Sequence, residues 1–480
     1  MSGLHLSRRR TLLGLGAALA APVLLRGQSV WAATARPLVL PALDHGRREG
    51  GRRVFDLTVA RGQTEFFSGH ATDTVGINAP FLGPVLAAKA GDALRMNVTN
   101  ALTEPTALHW HGLHLPAAAD GGPHQPIAAG AIWSPEFTLK QKAGNFWFHA
   151  HHHRFTGAHV WSGLAGMIRV DDDEEAALPL PRTYGEDDFT LILQDRSFDA
   201  AYQMPYTVDM HARMAGLQGD RMLVNGQIAP FLETAAPRIR LRILNGANGT
   251  VYRLHFADGR RFHQIASDGG LLAAPVALTD ALMAPGERAD YLLELHDGET
   301  ALLRAELFGA ESPFAGSNGV RDFMEIRPRG ARPPAPALPV HLAEMAPVAK
   351  QTGETRTLAL AMTGAGLMGD FTINGAQFDH QRIDFAVPMG AVETWVFENN
   401  TQMLHPMHIH DVQFRIIARN GQPPARREAG LKDVVLTSPG EKVELRLAFN
   451  DYADPIMPYM FHCHILEHED AGMMGQFTVV

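Results

Sequence analysis

The only cysteine of this 480-residue chain lies between two histidines near the C-terminus. Cys463 is flanked by His462 and His464, and a further histidine and a methionine follow at His468 and Met473. On a β-strand successive side chains point to opposite faces, so the flanking histidines face one way and the cysteine faces the other. A thiolate, an imidazole and a thioether are soft ligands that suit transition metals such as copper. The stretch therefore predicts two metal centres on opposite faces of one strand, each completed by ligands from distant parts of the chain.

Three further histidine clusters have the spacing to complete these centres. Histidines separated by one residue occur in four pairs, and on a strand both members of a pair face the same side. The pairs are His109/His111, His149/His151, His408/His410 and His462/His464. The chain contains 24 histidines, and histidine is the commonest metal ligand among the side chains. A single cysteine excludes an intramolecular disulfide framework, so metal binding is the better explanation of this pattern.

The histidine clusters belong to an internal repeat. Similar short segments, 98–100 and 398–400, precede the first and third pairs, whereas the comparable segment 241–245 has no histidine pair after it. Short alternating segments, 46 glycines and 31 prolines indicate β-sandwiches rather than long helices. We therefore predict three similar sandwiches, of which the outer two bind metal and the middle one is a spacer. The expected division is 36–175, 176–340 without ligands and 341–480, with a metal cluster between the first and third domains.

The N-terminal residues 1–35 have the pattern of an export signal. Paired arginines, Arg8 and Arg9, precede a short apolar run and a small-residue ending, which predicts a twin-arginine signal peptide. An uncleaved membrane anchor is the alternative. No other segment is apolar and long enough to cross a bilayer, so no stable membrane insertion is expected after processing. We expect a periplasmic or extracellular protein, and the formal charge of −9 argues against a nucleic-acid partner.

The four histidine motifs together resemble those of the multicopper oxidases. The motifs are His-Trp-His-Gly from His109, Phe-His-Ala-His ending at His151, His-Pro-Met-His-Ile-His from His405, and the stretch around Cys463. The resemblance extends over all three predicted domains and is closest to the bacterial three-domain laccase and cuprous-oxidase branch. It implies an all-β chain of three cupredoxin-like Greek-key β-sandwich domains that binds four copper ions.

The resemblance also implies a role for each ligand. The mononuclear blue (type 1) copper would be held by His405, Cys463, His468 and, as the weak axial ligand, Met473, for which Met474 is the alternative by spacing. The type 2 copper would be held by His109 and His408. The type 3 pair would be held by His111, His149, His151, His410, His462 and His464. Asp120 and Glu469 resemble the family's proton donors, and their alternative role is to orient the imidazoles.

The resemblance implies an enzyme that couples four one-electron oxidations to the reduction of O2 to water. The motifs do not identify the reducing substrate: phenols and aromatic amines are the first hypothesis and Cu(I) is the second. A non-catalytic, copper-free scaffold is a remote third hypothesis for the function. A methionine-rich insert is absent, and the neighbourhood offers only Met362, Met368, Met403 and Asp370. We therefore expect the ring edges of His405 and His468 to be open to bulky phenols. A monomer is expected, and structural or surface roles are expected for His114, His124, His152, His153 and His159.

Overall fold

The structure is a computed structural model that describes residues 36–308, 319–363 and 370–480. The predicted signal segment 1–35 and Met368 lie outside the described residues. Strands account for 49% of the described residues and helices for 7%, so the predicted all-β class is confirmed. Within the described ranges, no helix combines the length and the hydrophobicity needed to cross a membrane. Pro37–Val480 forms one compact unit.

The first set of strands forms two sheets. Its strands are β1 (Leu43–Asp44), β2 (Arg47–Glu49), β3 (Arg52–Phe67), β4 (His70–Ile77), β5 (Val85–Lys89), β6 (Ala93–Asn100), β7 (Leu108–His111), β8 (Ile132–Trp133), β9 (Glu136–Thr138), β10 (Gly144–Ala150) and β11 (Ala165–Asp171). One sheet has the order β1-β5-β11-β10-β7. The other has the order β2-β3-β6-β8, with β4 paired to β3 and β9 paired to β6.

The second set also forms two sheets. Its strands are β12 (Asp188–Arg196), β13 (Arg221–Val224), β14 (Gln227–Ile228), β15 (Phe231–Thr234), β16 (Arg238–Asn245), β17 (Val251–Phe256), β18 (Phe262–Ser267), β19 (Gly270–Leu278), β20 (Asp280–Met283), β21 (Arg288–Glu294), β22 (Ala301–Phe308) and β23 (Val320–Pro328). The sheet orders are β14-β13-β12-β16-β21-β18-β19 and β15-β23-β22-β17-β20.

The third set completes the fold with two five-stranded sheets. Its strands are β24 (Thr355–Thr363), β25 (Asp370–Ile373), β26 (Phe385–Val387), β27 (Val392–Asn399), β28 (His405–Ile409), β29 (Arg415–Arg419), β30 (Val434–Thr437), β31 (Lys442–Ala448), β32 (Asp454–Cys463) and β33 (Met474–Val479). The sheet orders are β25-β24-β27-β31-β29 and β26-β33-β32-β28-β30.

One sheet of each set repeats the same pairing pattern. In the first set β5 pairs in parallel with β11, and β11, β10 and β7 then pair antiparallel. The third set repeats this with β26, β33, β32 and β28, and the second with β15, β23, β22 and β17. The middle copy is therefore present in the fold although β17 carries no histidine pair. The boundaries of the three predicted domains stay predictions.

Short helices connect the strands and border the site. They are α1 (Thr156–Ser162), α2 (Asp173–Ala176), α3 (Met210–Ala215) and α4 (Leu466–Asp470), together with 3-10 turns at Ala117–Ala119 and Arg426–Glu428. Helix α3 begins after Asp209, whose carboxylate accepts the N–H of Ala212 at 2.8 Å as an N-cap. It ends at Gly216, where φ is +79°.

Each set of strands encloses an apolar core because its strands alternate between buried and outward-facing side chains. Strand β6, for example, buries every second residue, from Leu94 to Asn100. The core of the third set includes Cys463, Met473 and Met403. It also includes Met214, which α3 of the second set contributes. The core around the cysteine therefore depends on two sets of strands.

Candidate metal centre

The four histidine pairs converge on one buried site between the first and third sets of strands. Strand pairing places His109 opposite His149 on β7 and β10, and His408 opposite His462 on β28 and β32. All eight histidines are at most 1% exposed. Their ring nitrogens form three groups whose members lie within 4.8 Å of one another: His109/His408/His410, His111/His149/His464 and His151/His410/His462.

Two of these rings show directly that the site fits a metal. The Nδ1–H of His109 donates to the carbonyl of Asp120 at 2.9 Å, and the Nδ1–H of His408 donates to the carbonyl of Asp433 at 2.8 Å. The Nε2 atoms of both rings are buried without a hydrogen-bond partner. A buried acceptor without a partner costs free energy, whereas a ring fixed through Nδ1–H with a bare Nε2 is the usual state of a metal-ligating histidine. The donor set therefore fits a metal ion between these rings.

Cys463 faces away from this site and forms a second group. Its Sγ lies 3.5 Å from Nδ1 of His405 and 3.6 Å from Nδ1 of His468, and all three side chains are fully buried. The outer nitrogens are held in place, because His405 Nε2–H donates to Thr401 Oγ1 at 2.9 Å and His468 Nε2–H donates to the Met214 carbonyl at 3.1 Å. One thiol sulfur and two Nδ1 atoms therefore face a common point. Burial raises the pKa of the Cys463 thiol, so a thiolate here requires a bound cation.

The two candidate axial methionines lie in different surroundings. Met473 is fully buried and belongs to the apolar cluster that contains Cys463. The Cys463 N–H donates to the Met473 carbonyl at 3.0 Å. Met474 is the first residue of β33 and pairs with His462. The structure therefore brings Met473, and not Met474, into the cluster around the cysteine.

Two carboxylates contact the histidine groups. Asp120 accepts a hydrogen bond from Nδ1 of His410 at 2.7 Å. Burial by itself raises the pKa of Asp120, but the His410 and His109 rings outweigh burial and lower it. Glu469 lies 3.2 Å from Nδ1 of His462 and 3.4 Å from Nδ1 of His151. Burial and then the adjacent Asp470 raise the pKa of Glu469, so the two acids favour opposite protonation states.

Two charged side chains at the site, Arg288 of the middle set and Asp433 of the third, are not apparent from the sequence motifs. Asp433 accepts from His111 Nε2–H at 3.1 Å, and Arg288 of β21 binds Asp433 through Nη1–Oδ1 at 2.5 Å and Nη2–Oδ2 at 2.6 Å. At Gly286 a Cβ would lie 3.0 Å from the ring of His464, so this loop packs directly on a histidine of the site. The prediction that the middle unit is only a spacer is wrong. The available signal was the charged Arg288 at the start of a largely apolar segment that includes Leu292 and Leu293.

The prediction that the His405 and His468 ring edges are open is also wrong. Both rings are 0% exposed. Helix α3 covers His468 through the Met214 carbonyl, and the Phe371 ring stacks on it at a centroid distance of 4.0 Å. The sequence could not reveal this cover, because α3 lies some 250 residues before the histidine that it covers.

The five additional histidines make other contacts. His159 Nδ1 pairs with Thr106 Oγ1 at 3.2 Å, and His114 contacts the carboxylates of Asp411 and Asp451. Their surroundings agree with structural roles. In the part of the chain that the structure describes, no group of three metal-ligating side chains contains any of the five, which are His114, His124, His152, His153 and His159.

Comparisons with known proteins agree with this geometry. Two multicopper oxidase family models match residues 58–175 and 351–480. Multicopper oxidase mco of Staphylococcus aureus is 34% identical over 443 residues, 91% of each chain. The cell division protein FtsP of Sodalis glossinidius is 35% identical over 491 residues, 99% of each chain.

Solved structures show the same fold. A laccase-like multicopper oxidase CueO from Ochrobactrum sp. superposes with a TM-score of 0.84 at 34% identity, covering 92% of this chain and 100% of that one. A metallo-oxidase from Campylobacter jejuni has a TM-score of 0.83 at 27% identity, covering 93% and 95%. The predicted cupredoxin-like fold is therefore confirmed. With its fold, its buried histidine groups and these relatives, the chain belongs to the multicopper oxidases, a family of copper-binding oxidoreductases.

Proposed function

We propose that the protein is a laccase-like oxidase that takes single electrons from phenols and aromatic amines and reduces O2 to water. Four copper ions would supply one-electron transfer at the cysteine site and oxygen binding at the histidine site. The blue copper is assigned to His405, Cys463, His468 and Met473. The type 2 copper is assigned to His109 and His408, and the type 3 pair to His111, His149, His151, His410, His462 and His464.

The chain's own residues connect and protect the two sites. Cys463 shares the backbone of β32 with His462 and is directly followed by His464, so a short covalent path joins the thiolate to two type 3 ligands. Asp120 and Glu469 contact the outer nitrogens of histidine ligands, and we assign to them the holding and delivery of protons for water formation. Complete burial of the histidines excludes bulk water from the oxygen site.

The observation that favours organic donors over Cu(I) is the composition of the wall next to His405. A Cu(I) site needs soft thioethers and an acid, but Thr401 occupies the position whose oxygen faces His405 Nε2. Met403 is buried in the apolar core. In addition, the Ochrobactrum relative is described as an oxidase of lignin model compounds and lignosulfonate.

One observation favours the second candidate, oxidation of Cu(I). The blue-site histidines are fully covered, which limits direct contact with a bulky organic molecule but not with an ion. The Campylobacter relative is described as a metallo-oxidase. A copper-free scaffold role has no specific support here, since every ligand position of the histidine motifs is filled.

Steady-state kinetics on a methoxyphenol and on Cu(I), with and without added Cu(II), separates the candidates. We expect phenol oxidation that needs no added copper and at most modest Cu(I) oxidation. Replacing Met362, Met368 and Met403 by leucine should change phenol turnover less than about twofold, since such apolar swaps conserve volume. A wild-type enzyme that strongly prefers Cu(I), and loses this activity by orders of magnitude in the triple variant, would establish the second candidate.

Met473→Leu should raise the reduction potential of the blue copper without removing the metal. The reason is that a weak axial thioether stabilises Cu(II) relative to Cu(I). A redox titration that follows the blue band measures the shift, and Met474→Leu is the matched control. An unchanged potential in Met473→Leu, or a shift only in the control, would move the axial assignment to Met474.

We further propose that the protein acts outside the cytoplasm after export by the twin-arginine route. The support is the Arg8–Arg9 pair before a short apolar run. Replacing both arginines by lysine should leave unprocessed protein in the cytoplasm, as measured by cell fractionation and blotting. Normal delivery of that variant would indicate a general secretory signal.

A further inference from the structure

A cavity of about 410 Å³ lies beside the helix that carries His468. Segments that follow strands of all three sets form its wall. They contribute His153 and Arg154 (first set), Tyr206 and Arg213 (second set), and Phe378 and Asp470 (third set). Pockets for small organic ligands have volumes in this range, with aromatic walls and a few polar groups that fix orientation. The cavity therefore has the size and the aromatic lining for a single substituted ring.

A hydrogen bond connects the cavity wall to the cysteine site. Arg213 lines the cavity, and its neighbour Met214 accepts the Nε2–H of His468 at 3.1 Å. The other nitrogen of His468 lies 3.6 Å from the sulfur of Cys463. Because the histidine rings are fully buried, this main-chain contact gives a donor in the cavity a short route to the cysteine site.

The carboxylates and the guanidinium groups of the cavity lie in different places, the carboxylates at its floor and the guanidinium groups at its rim. The carboxylates that form the floor accept hydrogen bonds from the protein. Asp470 accepts the N–H groups of Thr156 at 3.1 Å and Gly157 at 2.8 Å. Oε1 of Glu467 accepts from Asn248 at 2.9 Å, while its Oε2 is buried without a hydrogen-bond partner. The guanidinium groups belong to the rim: Arg154 is exposed, and the side chain of Arg213 is 34% exposed. The pair that Arg213 forms with Asp370 is also at the surface, where ion pairs contribute little.

We propose that this cavity binds the organic donor, and that Arg154 and Arg213 select aromatic donors carrying a carboxylate or sulfonate group. This rests on the proposed oxidase function. The ring packs between Tyr206 and Phe378, the anionic group binds the guanidinium rim, and the phenolic hydroxyl points towards the floor. Each phenol loses one electron and its hydroxyl proton to become a phenoxyl radical. Four phenols thus supply the four electrons and four protons that convert one O2 into two waters.

Calorimetric binding of benzoate, which is not oxidised, tests the site without turnover. Holoenzyme should bind benzoate more tightly than neutral benzamide. In Arg154→Gln and Arg213→Gln the benzoate affinity should fall roughly threefold each, because a charge pair at an exposed or partly exposed position contributes modestly. Arg221→Gln, an exposed arginine outside the cavity, is the matched control and should bind like wild type. Equal affinity for benzoate and benzamide would refute the proposal. An unchanged benzoate affinity in both Arg154→Gln and Arg213→Gln would also refute it.

A second measurement links the site to specificity. The ratio of kcat/KM for ferulate to that for its neutral methyl ester should fall roughly threefold in either cavity variant, mainly through KM. An unchanged ratio would overturn the assignment of these arginines while leaving phenol oxidation intact. If no phenol is oxidised but benzoate still binds through the two arginines, the proposed oxidase function fails and the anion-selective cavity stands.

Discussion

Cys463→Ser is expected to remove the intense blue absorption and to reduce phenol oxidation to background, while the protein stays folded. The hydroxyl is a hard, weakly acidic group and cannot replace the thiolate that, in the proposed site, would bind copper and link it to His462 and His464. The fold should survive because serine is no larger than cysteine, and the Nδ1 atoms of His405 and His468 lie where they can pair with a buried hydroxyl. Visible spectroscopy, copper analysis and circular dichroism measure these effects.

The control for this prediction is Met407→Leu. Met407 lies opposite Cys463 on β28 and is equally buried, and a volume-conserving swap there should cost less than about 1.5 kcal/mol. It should therefore keep both colour and activity. A persistent blue band in Cys463→Ser, or copper analysis that finds zinc in the wild type, would contradict the assignment of the blue site.

Arg288→Lys is expected to release copper from the histidine site while the blue band persists. Lysine cannot reproduce the bidentate contact between Arg288 and the Asp433 carboxylate. Asp433 in turn accepts hydrogen bonds from the ring of His111 through its carboxylate and from the ring of His408 through its main-chain carbonyl. Loss of an outer partner typically lowers metal affinity 10- to 100-fold, and disrupting a buried ion pair costs about 3–5 kcal/mol. Copper content, the type 2 signal in electron paramagnetic resonance and O2 uptake should all fall.

Two further variants test whether this effect is specific. Asp433→Asn keeps the shape but removes the charge, and it should reproduce the copper loss. Arg327→Lys changes a surface arginine that pairs with Glu325 at 2.6 Å, and it should leave copper content unchanged. If Arg288→Lys retains full copper, or loses the blue band in parallel with the type 2 signal, then Arg288 does not act selectively on the histidine site.

The sequence alone predicted the fold class and the groups of side chains that meet. The reason is local: alternation along a strand separates Cys463 from His462 and His464, whatever the rest of the chain does. The same rule gave each histidine pair a common face, and strand pairing brings His109 opposite His149 and His408 opposite His462. The repeat was visible because each copy keeps its order of turns and strands.

Only the tertiary structure decided what surrounds those ligands. Arg288 and Asp433 lie 145 residues apart and meet because β21 of the middle set faces the segment before β30. The cover over His468 comes from α3, whose Met214 carbonyl is 254 residues away in sequence. Such contacts depend on how separate sheets pack, and no short-range pattern records that packing. The sequence by itself therefore determined which histidine and cysteine side chains come together, whereas packing between sheets decided how they are held and what covers them.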